Sequence, residues 1–251
     1  MKKTLVKNAI VCVLAVGVLL AVWAIAYWCV GNEFVVPSVV DCVRAFCKLF
    51  ISSAFYKSFF ATLLRVVFAV SLAVVFAVSL AVIAYLFPYF AKFMTPIIAT
   101  VRCVPVLAVL LILLVFLGAG VAPVVVAVLT LFPMLYTAFL GALAGVDKEL
   151  LEMSRAYQVP LKKQIKNLYL PAIARVGARE GITAFSLGVK LVVSAEVLAQ
   201  TAKSLGGQMQ EAKAYLDMPY LFALVISVAL VGLLIELVGA WLSDKVERWL
   251  L

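Results

Sequence analysis

Apolar runs of about the length needed to cross a lipid bilayer recur along this chain, and they constrain its fold more than any other feature. A bilayer core takes about 20 helical residues. After Lys2, Lys3 and Lys7 comes a charge-free run at 8–30, and further runs follow at 66–87, 96–117, 121–143, 182–199 and 220–242. With 67% hydrophobic and 13% charged residues, the chain carries more apolar surface than one soluble core of this length can hide. Lipid must be the solvent for much of it. The expected fold is all-α, a polytopic membrane protein of about six transmembrane helices. A basic start before an apolar run also describes a signal peptide. This run is longer than a usual signal core and lacks a clear small-x-small cleavage site, so it reads as a retained spanning helix.

The formal net charge of +9 could point to nucleic acid. The charges, however, sit at the ends of apolar runs and form no stripe, which is the pattern that sets orientation in a membrane. With the N-terminus inside, the internal segments are the Lys-rich start, a short turn at Lys92, and a long stretch holding Lys148, Arg155, Lys162, Lys163, Lys166, Arg175 and Arg179. Outside lie 31–57, a tight Gly-Ala-Gly turn at 118–120, and 200–219. The Lys/Arg balance puts both termini in the cytoplasm. The outer segment 37–50 has an apolar face through Val39, Val43, Phe46 and Phe50, as expected of a short helix lying in the interface. Residues 1–57 therefore read as the first span plus that helix, and 58–251 as a five-span core. The chain has no histidine, and its five cysteines (Cys12, Cys29, Cys42, Cys47 and Cys103) form no C-x-x-C pair, so a metal site is unsupported. Cys42 and Cys47 are open to two readings, a disulfide in an oxidising compartment or isolated small hydrophobes.

The long internal loop, 145–171, is the most informative segment. Asp147 is a good N-cap with Lys148, Glu149 and Leu150 behind it. Apolar residues recur at Leu150, Tyr157, Leu161, Ile165 and Leu168, with Lys162, Lys163 and Lys166 off that stripe. Pro160 fits the first turn of a second short helix, and Pro171 is expected to end it. An amphipathic helix–turn–helix of this kind is either an interfacial anchor or a docking knob for a cytoplasmic partner.

This loop resembles the cytoplasmic signature E-A-A-x3-G-x9-I-x-L-P of binding-protein-dependent ABC importer permeases. Glu152 opens it, Gln158 stands at the Gly place, Leu168 at the Ile place, and Leu170-Pro171 close it; Met153 and Ser154 replace the two alanines. If the turn needs a left-handed backbone, Gln costs about 1 kcal/mol more than Gly there; otherwise Pro160 fixes a different turn. Other segments are similar to the nitrate/sulfonate/taurine branch of that family: Pro37-Ser38, Thr62-Leu63-Leu64-Arg65, Arg102-Cys103-Val104-Pro105, the Asp147–Leu151 run, Ala195-Glu196, Leu205-Gly206 and Arg248-Trp249.

The resemblance implies a type I importer permease fold and a non-catalytic translocation subunit in a bacterial cytoplasmic membrane. Two permease chains, expected as a homodimer, would enclose a path for a small solute. An extracytoplasmic binding protein would deliver the solute, and two ABC ATPase subunits would dock on the coupling loop, with Glu152, Arg155, Ala156, Gln158, Pro160, Leu161, Leu168, Leu170 and Pro171 as its candidate residues. The chain has no G-x-x-x-x-G-K-[ST] loop, so it is expected to carry no cofactor itself, with ATP and Mg on the partner ATPase.

Charges at membrane depth are costly and often functional. Lys190, Glu196 and Glu236, with Arg102 and Pro105 at a helix opening, are the candidate pathway or gate residues. Lys190 reads as an ammonium paired with Glu180, Glu196 or Glu236, or as a pore-facing cation for an anionic or polar solute; family members commonly have an aromatic residue there. Glu196 and Glu236 read as a packing or gating pair. Arg102 is placed to snorkel to lipid phosphates. A secondary transporter or channel is the competing reading, but no internal repeat supports it. An intramembrane enzyme would lack His, a Ser/Lys pair and paired Asp.

Overall fold

A computed structural model describes residues 20–33 and 35–249, together with 14, 17 and 18. The first part of the 8–30 run, with Lys2, Lys3, Lys7 and Cys12, lies outside the described residues, as do the side chains of Arg248 and Trp249. The described chain is helical: α1 (Leu20–Val30), α2 (Val39–Leu49), α3 (Ser53–Leu86), α4 (Pro88–Cys103), α5 (Val106–Ala144), α6 (Lys148–Ala156), α7 (Leu161–Gln164), a π-helical turn (Ile165–Tyr169), α8 (Leu170–Ala199), α9 (Leu205–Ala214) and α10 (Met218–Trp249). No strand occurs among the described residues. Helix α3, helix α5, the continuous helix Leu161–Ala199 and the segment Met218–Ser243 are each long and apolar enough to cross a membrane.

Helix α5 is two limbs. At Gly118 the backbone takes φ 72° and ψ 171°, a conformation open to glycine because it has no Cβ. There the chain doubles back. Leu110 of the first limb packs with Ala122 and Val126 of the second, and Arg102 reaches Pro133. The α4 arm with the first limb, and the returning second limb, thus lie side by side, while the described part of α1 is a shorter apolar helix.

Several boundaries differ from the expected ones. The span expected at 66–87 is the later part of α3, which starts at Ser53 because the Ser52 side chain caps it by accepting from the Phe55 amide at 3.4 Å. Lys57 and Arg65 thus sit on helix, because a charge on one face does not end a helix. Lys92 lies inside α4; the turn falls at Phe87, whose extended backbone precedes Pro88. The expected span 96–117 is broken at Val104, extended ahead of Pro105.

Helix α3 packs closely against its neighbours. Its buried Ala69, Ala73, Ala77, Ala81 and Ala84 recur every three or four residues, and small side chains let neighbouring helices approach closely. Helices α5 and α8 pack on it around Leu131, Leu135, Phe139, Val189 and Val192.

The segment 37–50 presents two apolar faces. Helix α2 buries Cys42 and Leu49, with Ala45 and Phe46 half-buried, against α10 and the main core. Val43 and Phe50, on the stripe expected to lie in the interface, are exposed. Cys42 and Cys47 are both free thiols, one buried and one exposed, and do not form the disulfide.

Candidate functional site

The loop between α5 and α8 is built by local caps. The Asp147 carboxylate accepts from the Glu149 amide at 2.9 Å and opens α6. The helix closes with a Schellman arrangement: the Val159 amide donates to Ser154 O at 2.8 Å and the Gln158 amide to Arg155 O at 3.0 Å. Gln158, at the signature's glycine place, has φ 49°, so the turn is left-handed and Pro160 does not replace that need. Pro160 is the cap just before α7, and the Gln164 side chain donates to Val159 O at 2.8 Å to hold the corner. At the signature's second alanine place, Ser154 is buried with its hydroxyl donating to Leu151 O at 2.8 Å. The polar side chain therefore strands no donor.

Pro171 does not end a helix, contrary to expectation. The π turn Ile165–Tyr169 leads without interruption into α8, with Pro171 the second residue of that helix; a local π register is one way a helix accommodates a proline's missing N–H. The Tyr169 ring stacks edge-on against Tyr85 of α3, centroids 5.7 Å apart and hydroxyls at 3.3 Å. The loop therefore touches α3 as well as continuing into α8.

The loop's apolar stripe is uncovered: Leu150, Tyr157, Leu161 and Ile165 are exposed, Tyr157 by 78% and Leu161 by 68%. Leu168 is half-buried and, with Leu150, lines a groove of about 490 Å³ among Gly145, Asp147, Asn167 and Arg175. Glu152, Arg155, Ala156, Gln158, Pro160 and Leu170 are likewise exposed on the loop, while Pro171 is half-buried.

The charges inside the helical body fall into three places. Glu196 is fully enclosed (0% exposed). Its carboxylate accepts from Thr62 Oγ1 at 2.9 Å, from Arg65 Nη1 at 2.9 Å and from the Gly206 amide at 3.3 Å. Thr62 Oγ1 in turn accepts from the Leu205 amide at 3.0 Å. A Cβ on residue 206 would lie 2.4 Å from Glu196 Cβ, so only glycine fits against the acid. The node continues outward: Thr201 Oγ1 donates at 2.7 Å to Ala119 O, the carbonyl that Pro123, lacking an N–H, leaves without its helical donor. Glu236 is elsewhere, accepting from Ser186 Oγ at 2.6 Å with Lys190 Nζ at 3.9 Å; the two acids are not paired with each other. Arg102 donates to Pro133 O at 3.0 Å and to Thr137 Oγ1 at 2.9 Å, tying α4 to the second limb of α5 beside the break at Pro105. Among the described residues no His/Cys/Asp/Glu cluster could hold a metal ion.

Residues 69–250 match the family of binding-protein-dependent transport system inner membrane components. The chain belongs to that family. It is a permease subunit of an ABC importer, a multi-pass inner membrane translocation component of a system that also uses an ATPase and a solute-binding protein. It is similar to the carnitine transport permease protein OpuCB of Listeria monocytogenes, 34% identical over 86 residues, which is 34% of this chain and 39% of that protein. It is also similar to a probable ABC transporter permease protein of Brucella melitensis, 25% identical over 219 residues covering 86% of this chain and 87% of the other. A Brucella abortus counterpart matches to the same extent.

In this permease the buried node was visible in the sequence as separate motifs and not as one site. Thr62 and Arg65 stand three apart on one helical face, a spacing that aims both at one partner. Glu196 and Gly206 follow more than 130 positions later, so nothing local joins them. Tyr85, Tyr169 and Gln164 carried no signal beyond apolar or polar type.

Proposed function

We propose that two copies of this permease enclose a path for a small solute, with one ATPase docked on each 145–171 loop and a binding protein on the opposite face. ATP and Mg are held by the ATPases, and this chain is non-catalytic. The observation that carries the reading is the exposed stripe Leu150–Tyr157–Leu161–Ile165 beside Glu152, on a loop whose backbone is fixed by its own caps. A rigid apolar knob flanked by charge is what a partner groove recognises. The 1–57 segment is read as accessory to the 58–251 core. The Pro37-Ser38 and Arg102–Pro105 motifs support a place near the nitrate/sulfonate/taurine branch, while the name of the Listeria relative points to carnitine. In either case the binding protein selects the cargo.

Two measurements test this. Glu152→Lys and Leu161→Asp should each abolish co-purification of the ATPase while membrane insertion stays normal; undiminished co-purification would refute the docking surface. Reporter fusions after Gly145 and after Leu251 should read cytoplasmic, and one near Ser53 external. A cytoplasmic signal at Ser53 would overturn the orientation.

A further inference from the structure

The outward stripes of α3 (Phe60, Leu64, Phe68) and α10 (Leu234, Leu237, Trp241) are mainly apolar, with Ser71 and Ser79 exposed on α3 and Glu236 on α10. Helix α8 differs. Its exposed stripe runs Thr183, Leu187, Lys190, Ser194, Leu198 at helical spacing, and three of these five are polar. Lys190 stands about 14 Å along the axis from the helix end at Ala199, roughly half of a bilayer core.

The ammonium is poorly matched within its own chain. Glu236 Oε1 is 3.9 Å away, beyond hydrogen-bond reach, and that oxygen already accepts from Ser186. Glu196 is enclosed and committed to Arg65 and Thr62. Among the described residues Lys190 makes no hydrogen bond, and its side chain is 61% exposed, that of Glu236 55%. Three unfilled donors cannot rest against hydrocarbon, so this face requires water or a polar ligand.

We propose that the Thr183–Lys190–Ser194 face of α8, with Glu236 of α10, lines the aqueous path, and that Lys190 contacts an oxyanion of the passing solute, such as a carboxylate or sulfonate. Glu236 is the counter-ion that holds the ammonium between passages. A resting pair at 3.9 Å is loose enough for a solute oxyanion to displace, and the returning carboxylate releases the solute again, as conduction requires. The inference rests on the permease reading and names the chemistry of its path.

The test uses the permease assembled with its ATPase in lipid nanodiscs, native cysteines replaced by alanine and Ser194→Cys introduced one helical turn from Lys190. Two impermeant thiol reagents of similar size are compared, the anionic sulfonatoethyl and the cationic trimethylammonioethyl methanethiosulfonate. Both should react, with the anionic reagent favoured. Lys190→Met should lower the anionic-to-cationic rate ratio about tenfold, the effect of a unit charge about 6 Å away in water acting with opposite sign on the two probes. Lys190→Arg should keep the ratio, and Glu236→Gln should raise it. No reaction with either reagent in the assembled complex would mean that lipid or a second chain covers the face, and would overturn the proposal. So would a ratio that Lys190→Met leaves unchanged. ATPase co-purification is scored on the same samples: an assembled complex with an unreactive thiol sinks only this inference, whereas failure to assemble sinks the permease reading with it.

Discussion

Replacing Gln158 by glycine should stabilise the 145–171 loop. Gln158 sits at φ 49°, where an L-residue with a Cβ costs about 1–2 kcal/mol. Its side chain is exposed and makes no hydrogen bond among the described residues, so nothing else is lost on truncation. Glycine returns about 0.5–1 kcal/mol of that gain through its larger freedom in the unfolded chain, leaving a net stabilisation of roughly 0.5–1 kcal/mol. The effect is local, and the amides of Tyr157, Gln158 and Val159, which close the end of α6, report it directly. Hydrogen exchange at Tyr157 and Val159 should slow about two- to fivefold in Gln158→Gly if these amides exchange by opening of the turn. Gln158→Ala keeps the Cβ and should leave both rates nearly unchanged. Equal or faster exchange in the glycine variant would refute the argument that the left-handed turn stores strain.

Breaking the buried ion pair from one side should cost about 3–5 kcal/mol, because Arg65 is then left facing an apolar site; Glu196→Met should therefore fall well below wild type in a detergent thermal-shift assay, and Arg65→Met added to it should recover part of the loss. An additive double mutant would show the two groups to be uncoupled. Tyr136 buries a hydroxyl with no partner among the described residues, so Tyr136→Phe should leave the melting temperature equal or higher, and a loss above about 1 kcal/mol would reveal a bond to that hydroxyl. Burial and the neighbouring Asp41 charge push the Cys42 thiol up to about 11, so iodoacetamide at pH 8 should label the exposed Cys47 and spare Cys42. Labelling of Cys42 should rise about tenfold per pH unit until pH approaches that value, since the thiolate is the nucleophile; equal labelling at pH 8 would contradict its burial.

What the sequence made legible was what local rules decide. The apolar runs marked the helices, Asp147 marked the start of α6, and the motif spacing marked the loop that carries it. Boundaries failed where a local rule met tertiary context. Lys57 and Arg65 interrupt an apolar run but not a helix, since each occupies one face of α3. Pro171 reads as a stop signal, yet the helix runs on through it by way of the π turn before it. The core-facing stripe of α2, Cys42, Ala45, Phe46 and Leu49, was not singled out because Val39, Val43, Phe46 and Phe50 form as good a periodic stripe, and only contact with α10 picks the buried one. The Glu196 node joins residues 10 to 143 positions apart, a closure that no window-based pattern contains.

The polar bonds are distributed unequally between the two ends of the helical body, and this bears on how movement can pass through it. At the end holding residues 118–120 and 196–208, side chains cross-tie α3, α5, α8 and α9: Thr62 and Arg65 to Glu196, Thr62 to Leu205, and Thr201 to Ala119. Opening that end strands a buried carboxylate at once. At the loop end, the caps of α6 and α7 bond residues within the loop itself, and the contact with α3 is one pair of tyrosines. Between them lies the π turn Ile165–Tyr169, a helical segment that is intrinsically less stable than the α-form. Local opening follows the weakest set of bonds. Displacing the loop therefore meets little resistance at the π turn, whereas the Glu196 node opposes separation of α3, α8 and α9.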